Sequence, residues 1–229
     1  MIKLNQITKI YNKTENSVPA LDGVSLSIME GEAIAIMGPS GSGKTTLLNI
    51  IGCMDEPDQG KYMFDEMEIN TLTKSKADLF RKKTIGFVFQ QFALLKDYTV
   101  MENVEIPLIA MNVRKKKRRE ICHEWLSKMG MEEYEKKYPT KLSGGQQQRC
   151  AIARALVNGA PIILADEPTG ALDQKNGQEI IKLLLELNRE GKTIIVVTHD
   201  EKVAERMNRV IYLSDGKIIS DKRRNINAE

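Results

Sequence analysis

Apolar residues along this chain fall into short strand-like runs that alternate with stretches of helical spacing. Ile2, Leu4 and Ile7 are spaced for an early strand, and Leu21, Val24, Leu26 and Ile28 for another. Residues 12–19 are Asn, Lys, Thr, Glu, Ser, Val and Pro, and read as a loop. Residues 33–37 form a continuous apolar run, as expected of a buried parallel strand, and residues 45–51 carry helical periodicity. A β-branched and aromatic strand over 85–89 ends in Gln90-Gln91. From about Phe92 to Gly145 the pattern turns helical, with Ile121, Cys122, Trp125, Leu126 and Met129 on one face. This stretch reads as an inserted helical subdomain. Ser143 is placed to cap a helix through Ala151, Ile152, Ala155 and Leu156, with Gly159 beyond its end. A strand over 162–165, a helix over about 177–190 and a strongly β-branched strand over 193–198 follow. Two short strands, 210–213 and 217–219, flank Asp215-Gly216, a hairpin signal. The polar tail from Asp221 reads as frayed.

Composition narrows the class. With 229 residues and 41% hydrophobic content, the chain can bury one substantial α/β core. The expectation is a single domain over 1–229, with the helical subdomain at about 92–145 inserted in it. A net charge of +3 makes no demand for a nucleic-acid partner. Cys53, Cys122 and Cys150 have neither metal-ligand spacing nor an even count, so reduced thiols in the cytoplasm are the simplest reading. No apolar stretch approaches the roughly 18 residues of a membrane span.

Chemistry enters at residues 38–45, Gly-Pro-Ser-Gly-Ser-Gly-Lys-Thr, between an apolar strand and a helix. Gly38, Gly41 and Gly43 let backbone amides curl around anionic oxygens, with Ser40 and Ser42 between them, and the helix N-terminus faces the same anion. At that spacing Lys44 reaches the β- and γ-phosphates of a nucleotide and the Thr45 hydroxyl binds Mg²⁺. Farther on, an apolar strand ends in Asp166-Glu167. Ligands gather at such strand ends in open α/β sheets. Asp166 suits magnesium, and Glu167 suits a general base that polarises water. Ser143, Gly144, Gly145 and Gln146 open a helix and offer a hydroxyl, amides and a positive helix end, again fit for an anion. A second anion site in a chain that already has a phosphate loop suggests the nucleotide of another subunit.

The phosphate loop, Leu142-Ser143-Gly144-Gly145-Gln146 and Asp166-Glu167, in that order, resemble an ABC-type ATPase over nearly the whole chain. The resemblance implies a P-loop NTPase (RecA-like) core, an N-terminal antiparallel β subdomain and the inserted α-helical subdomain. It implies ATP and Mg²⁺ as ligands, and a head-to-tail homodimer in which Ser143–Gln146 close on the partner's ATP. It also implies roles for further residues: Thr46 at the α-phosphate, Gln90 (or its neighbour Gln91) sensing magnesium, and His199 contacting the γ-phosphate. Asp173 resembles the loop that crosses the dimer interface, and Tyr11 the aromatic that stacks on adenine. His123 has no such context and reads as structural. Residues 18–21, 52–55, 85–90 and 165–170 are most similar to the macrolide-exporter, lipoprotein-release and cell-division branch. That branch implies an integral membrane permease as partner and a place at the cytoplasmic face of the cell membrane.

Alternatives stay open at this stage: an importer ATPase, a soluble ABC ATPase acting on nucleic acid or ribosomes, or service to a sensing complex. The basic run 114–119 could attract nucleic acid or lipid headgroups. Lacking interleaved aromatics and leading into an amphipathic helix, it reads rather as a solvated helix start, with Glu120 and Glu124 placed to pair with it.

Overall fold

A computed structural model describes residues 1–11 and 17–224. Most of the expected 12–19 loop therefore lies outside the described residues. The first half holds β1 (Ile2–Lys9), β2 (Leu21–Ile28), β3 (Ala33–Met37), α1 (Lys44–Ile51), β4 (Gln59–Phe64), β5 (Met67–Glu68), α2 (Lys74–Thr84), β6 (Ile85–Val88) and α3 (Val100–Ala110). The second holds α4 (Lys115–Lys128), α5 (Gly144–Leu156), β7 (Ile162–Asp166), α6 (Gln174–Arg189), β8 (Thr193–Val197), α7 (Glu201–Glu205), β9 (Arg209–Ser214) and β10 (Lys217–Arg223). The fold is α/β, of the P-loop NTPase type, with an antiparallel sheet near the N-terminus.

Two compact units are resolved: residues 1–81 with the segment from Asn188 on, and residues 82–187. In the first, β1 pairs antiparallel with both β2 and β4, and β5 extends β4. Ile2, Leu4 and Ile7 of β1 and Leu21, Val24, Leu26 and Ile28 of β2 are all buried. Ile2 with Leu4, and Val24 with Leu26 and Ile28, follow the alternation of one covered face, while register shifts on either side of Ile7 account for the break in period at Ile7 and Leu21. The same unit holds a second set of strands: β3 runs parallel to β8 and to β9, and β10 turns back on β9. β3 and β8 are almost wholly buried, which is why their sequences are continuous apolar runs rather than alternating ones.

The tail corrects one expectation. Residues 221–223 are not frayed but belong to β10. Asp221 takes two hydrogen bonds from the Arg209 guanidinium, at 2.7 and 2.6 Å, and Arg209 also donates to Ser27 O and Glu32. The polar tail follows its neighbour because a nearly buried guanidinium requires acceptors there. The sequence reading also passed over β4, α2 and α7, and α6 begins three residues before position 177.

In the second unit β6 and β7 run parallel, with Val88 opposite Ala165. α3 and α4 supply the helical character expected after Phe92, and both α3 and β6 pack on α5. Half of the basic run is engaged in local pairing. Arg118 and Arg119 flank the buried carboxylate of Glu105, and Lys117 reaches Glu120 one turn on. His123 pairs with Glu135. Among the described residues no helix is long and apolar enough to cross a membrane. All three cysteines are free thiols; burial pushes Cys53 up to about 11 and Cys122 and Cys150 up to about 12, leaving them poor nucleophiles near neutrality.

Candidate active site

The phosphate loop lies in the first unit, between the C-terminal end of β3 and α1. Its backbone has the shape of an anion cradle. Gly38, Gly41 and Gly43 sit at φ of 146°, 78° and 99°. Gly43 is the N-cap of α1, and a Cβ there would stand 2.2 Å from the carbonyl oxygen of Ala20. Both the left-handed backbone and that close approach exclude other residues. The far side of the loop is tied by the β9–β10 turn, where Gly216 N–H donates to Ser42 O and Asp22 N–H donates to Gly216 O. The Ser42 side chain is 3% exposed and its hydroxyl has no partner among the described residues, while its backbone N–H donates to Pro39 O at 3.3 Å. Lys44 curls over the loop, donating to Gly38 O at 2.9 Å and Pro39 O at 2.7 Å. An ammonium has three protons, so one remains for a phosphate oxygen. Ser40 and Thr45 are exposed, and Thr46 is partly so.

Two further candidates share this unit. Thr198 N–H donates to Ile36 O, which sets the end of β8 beside the end of β3, and His199 follows at the same sheet edge as the loop. Tyr11 is 46% exposed, and its hydroxyl donates to Asp55 at 2.5 Å. Lys9 donates to the other Asp55 oxygen at 2.6 Å, and the Thr46 hydroxyl also reaches the phenol. Burial alone would raise the Asp55 carboxyl, but the hydrogen bonds from Lys9 and Tyr11 outweigh it and hold the group below its usual range. Tyr11 is therefore tethered through Asp55 to the segment after α1 and through Thr46 to α1 itself. Asp55, which does the tethering, was missed in the sequence because nothing in its spacing marks it.

The acidic pair lies in the second unit. Asp166 is the last residue of β7 and Glu167 the first beyond it. Glu167 sits at φ 44°, a left-handed conformation that costs a non-glycine residue about 1–2 kcal/mol. Parallel pairing of β6 and β7 brings Gln90 to the same edge. A Cβ added to Gly170 would lie 2.8 Å from Gln90 Nε2 and 3.3 Å from Glu167 Oε2, so the two side chains converge on this glycine. Phe92 and Ala93, after Gln90-Gln91, also have positive φ, and Arg154 on α5 holds both carbonyls, at 2.9 and 2.5 Å.

Ser143 caps α5 with a full capping box: its hydroxyl accepts from Gln146 N–H, and the Gln146 carboxamide oxygen accepts from Ser143 N–H. Of the two side chains, only the acceptors are consumed. The Ser143 proton, the Gln146 amide protons and the first-turn N–H groups of Gly144 and Gly145 are what an anion would require. Asp173 caps the start of α6 through Asn176, whose hydrogen bonds hold the carboxyl below its usual range.

The profile of the ABC transporter family matches residues 21–170. The chain is 49% identical over 226 residues to YvrO, an ABC transporter ATP-binding protein of Bacillus subtilis, with 99% of each chain covered. The chain belongs to the ABC transporter family. It is also 52% identical to the ABC transporter ATP-binding protein MJ0796 of Methanocaldococcus jannaschii, with 95% of each covered. The dimeric structure of MJ0796 bound to ADP and Pi, a post-hydrolysis state, superposes with a TM-score of 0.90, covering 99% of this chain and 100% of that one, at 48% identity. The macrolide export ATP-binding/permease protein MacB of Hyphomonas neptunium is 48% identical over 96% of this chain, which spans only 34% of the MacB length. These matches make the chain an ATP-binding cassette of the ATP-hydrolysing kind, in the branch that contains MacB, MJ0796 and YvrO.

Proposed function

We propose that this cassette hydrolyses ATP as one half of a head-to-tail homodimer and drives a separate integral membrane permease in export or mechanotransmission. The observation that carries the reading is the phosphate loop, held in anion-binding shape by Ala20 and the β9–β10 turn with Lys44 folded over it. Gly38, Ser40, Gly41, Ser42 and Gly43 cradle the phosphates, Lys44 offsets their charge, Thr46 adds a contact, and Tyr11 stacks on adenine. Glu167 takes the proton of the attacking water, His199 contacts the γ-phosphate, and Gln90 reports on the site. Ser143, Gly144, Gly145 and Gln146 donate to the nucleotide of the second copy.

The donors Thr45, Gln90 and Asp166 are all oxygen ligands, as Mg²⁺ prefers, and magnesium at nucleotide sites commonly takes one or two carboxylates with phosphates and water. No cluster of three His, Cys, Asp or Glu side chains occurs among the described residues to hold a metal alone. The set thus fits a cation that arrives with a nucleotide; when bound it would neutralise charge on the β- and γ-phosphate oxygens. MacB, which joins a permease to its cassette by name, and the dimeric MJ0796 structures support the permease and the second copy. They also favour the cytoplasmic membrane face.

Glu167→Gln keeps shape and hydrogen bonding but removes the base. It should bind ATP, lose most hydrolysis and accumulate as an ATP-bound dimer by size exclusion. A variant that stays monomeric with ATP and hydrolyses normally would refute the assignment.

A further inference from the structure

We propose that Gln148 is a positioning residue that holds the turn bearing Glu167 and ties it to the first turn of α5. The inference rests on the reading of Glu167 as general base. Gln148 is 0% exposed, and its Nε2 donates to Pro168 O at 2.8 Å, across 20 residues of sequence. Pro168 follows Glu167 directly, and proline has no backbone N–H. Its carbonyl is therefore the one backbone polar group by which that residue can be gripped, and Gln148 takes it. The residue gripped stands next to one at positive φ, a conformation that persists only when its surroundings over-determine it. A second bond, Gly170 N–H to Glu167 O at 3.0 Å, closes the turn from the other side.

Packing alone does not explain a glutamine here. Its Oε1 is buried with no hydrogen-bond partner, a cost that leucine or methionine would avoid while filling the same space. What glutamine provides is the donor to Pro168.

The same face of α5 explains what the grip transmits. Gly144 and Gln148 are one helical turn apart and share a face. Gly144 lies close to Leu172, with a Cβ-equivalent distance of 3.1 Å, and Gly145 lies against Asn176. The start of α5 is thus fitted along residues 168–176, with a directional bond at the end nearest Glu167. A displacement of Ser143–Gln146, such as binding the second copy's nucleotide would cause, reaches the Glu167 turn through Gln148. Each base would then be set by occupation of the opposite ATP site.

The test uses the full chain. Gln148→Met keeps length and shape and removes the donor. ATPase kcat and KM are measured with melting temperature and fraction folded, beside Glu167→Gln. The expected result is a kcat at least tenfold lower per folded molecule with KM within twofold, and an ATP-dependent dimer retained in the Glu167→Gln, Gln148→Met double variant. Gln148→Glu supplies a second readout. A carboxyl donates only when protonated, and burial raises its pKa, so its activity relative to the unaltered protein should rise as pH is lowered from about 8.5 to about 6. A Gln148→Met kcat per folded molecule within twofold of the unaltered value, or a pH-independent ratio for Gln148→Glu, overturns the proposal. Undiminished hydrolysis by Glu167→Gln instead overturns the base assignment, and the inference falls with it.

Discussion

Gly170→Ala isolates the geometry of the proposed catalytic carboxylate from the stability of the fold. The added methyl would meet Gln90 Nε2 at 2.8 Å and Glu167 Oε2 at 3.3 Å, against an ordinary contact of 3.4 Å or more. Both obstacles are ends of flexible side chains, and Gly170 is not at positive φ, so the backbone accepts alanine. Moving each end costs on the order of 0.5–1.5 kcal/mol if a χ angle is forced off its rotamer. Stability should fall by no more than about 3 kcal/mol, or roughly 6–12 °C in a chain of this size. Hydrolysis responds differently, because the groups that yield are the proposed base and its neighbour. A displacement near 1 Å at such a group can cost about a hundredfold in rate. We therefore expect kcat to drop about 10- to 100-fold while nucleotide affinity, read by a fluorescent ATP analogue, stays within about threefold. Steady-state ATPase assays and thermal melts on the same preparation decide it. A kcat within twofold of the unaltered protein would refute the convergence of Gln90 and Glu167 on Gly170 as a constraint on catalysis.

Gly43→Ala collides instead with backbone, 2.2 Å from Ala20 O at φ 99°, so nucleotide binding and melting temperature should fall together; a variant that binds ATP normally would show the loop to be softer than its geometry. Ser143→Ala removes the α5 cap and should cost about 1 kcal/mol, whereas Ser143→Asp keeps a cap acceptor but offers a negative charge to the second copy's phosphates. The aspartate variant should melt near the unaltered protein yet form no ATP-dependent dimer by light scattering, and normal dimerisation would count against the anion role. Arg209→Leu should destabilise by about 3 kcal/mol in urea titrations by stripping Asp221 and Glu32 of their shared partner, and an unchanged midpoint would mean the network is dispensable. The hydrogen bonds from Arg209 hold Asp221 below the usual carboxyl range, so its contribution is present above about pH 4 and fades as pH falls through the folded value; Arg209→Leu should flatten that acid limb.

Much of the fold was legible because the strands that position the loops are either fully covered or covered on one face. β3 and β8 read as unbroken apolar runs and β1 and β2 as alternations, and each reading follows from burial. What escaped was polar structure with a tertiary cause. α2 is a strongly polar helix with only Thr84 buried, so its sequence shows no apolar stripe to find. The end of β10 looked like a tail because its order comes from Arg209, twelve residues earlier, and no local pattern announces a partner at that distance. α6 starts early because Asp173 and Asn176 build its first turn by hydrogen bonds rather than by apolar periodicity.

The site divides along the same line. Motif spacing singles out Lys44, Thr45, Asp166, Glu167 and Ser143 as candidates, because phosphate and carboxylate chemistry restricts which residue types can serve. Conformation was not legible: Glu167, Phe92 and Ala93 have positive φ, and the bonds beside them come from α5, from Gln148 to Pro168 O across 20 residues and from Arg154 to Ala93 O and Phe92 O across 61 and 62. One signal was nevertheless present. Gln148 lies three and four residues before Ala151 and Ile152, on a stripe whose other members are buried and small or apolar. A carboxamide in that stripe must find a buried acceptor, and a chain with two strained turns to hold has carbonyls to offer. A polar residue on the apolar face of the helix capped by Ser143 is therefore a marker for what the helix restrains, and α5 carries its restraints toward both the Gln90 turn and the Glu167 turn. On the proposed reading, the segment that would face the second copy's nucleotide and the Gln90 and Glu167 turns are held by one helix, which would make hydrolysis sensitive to dimer closure.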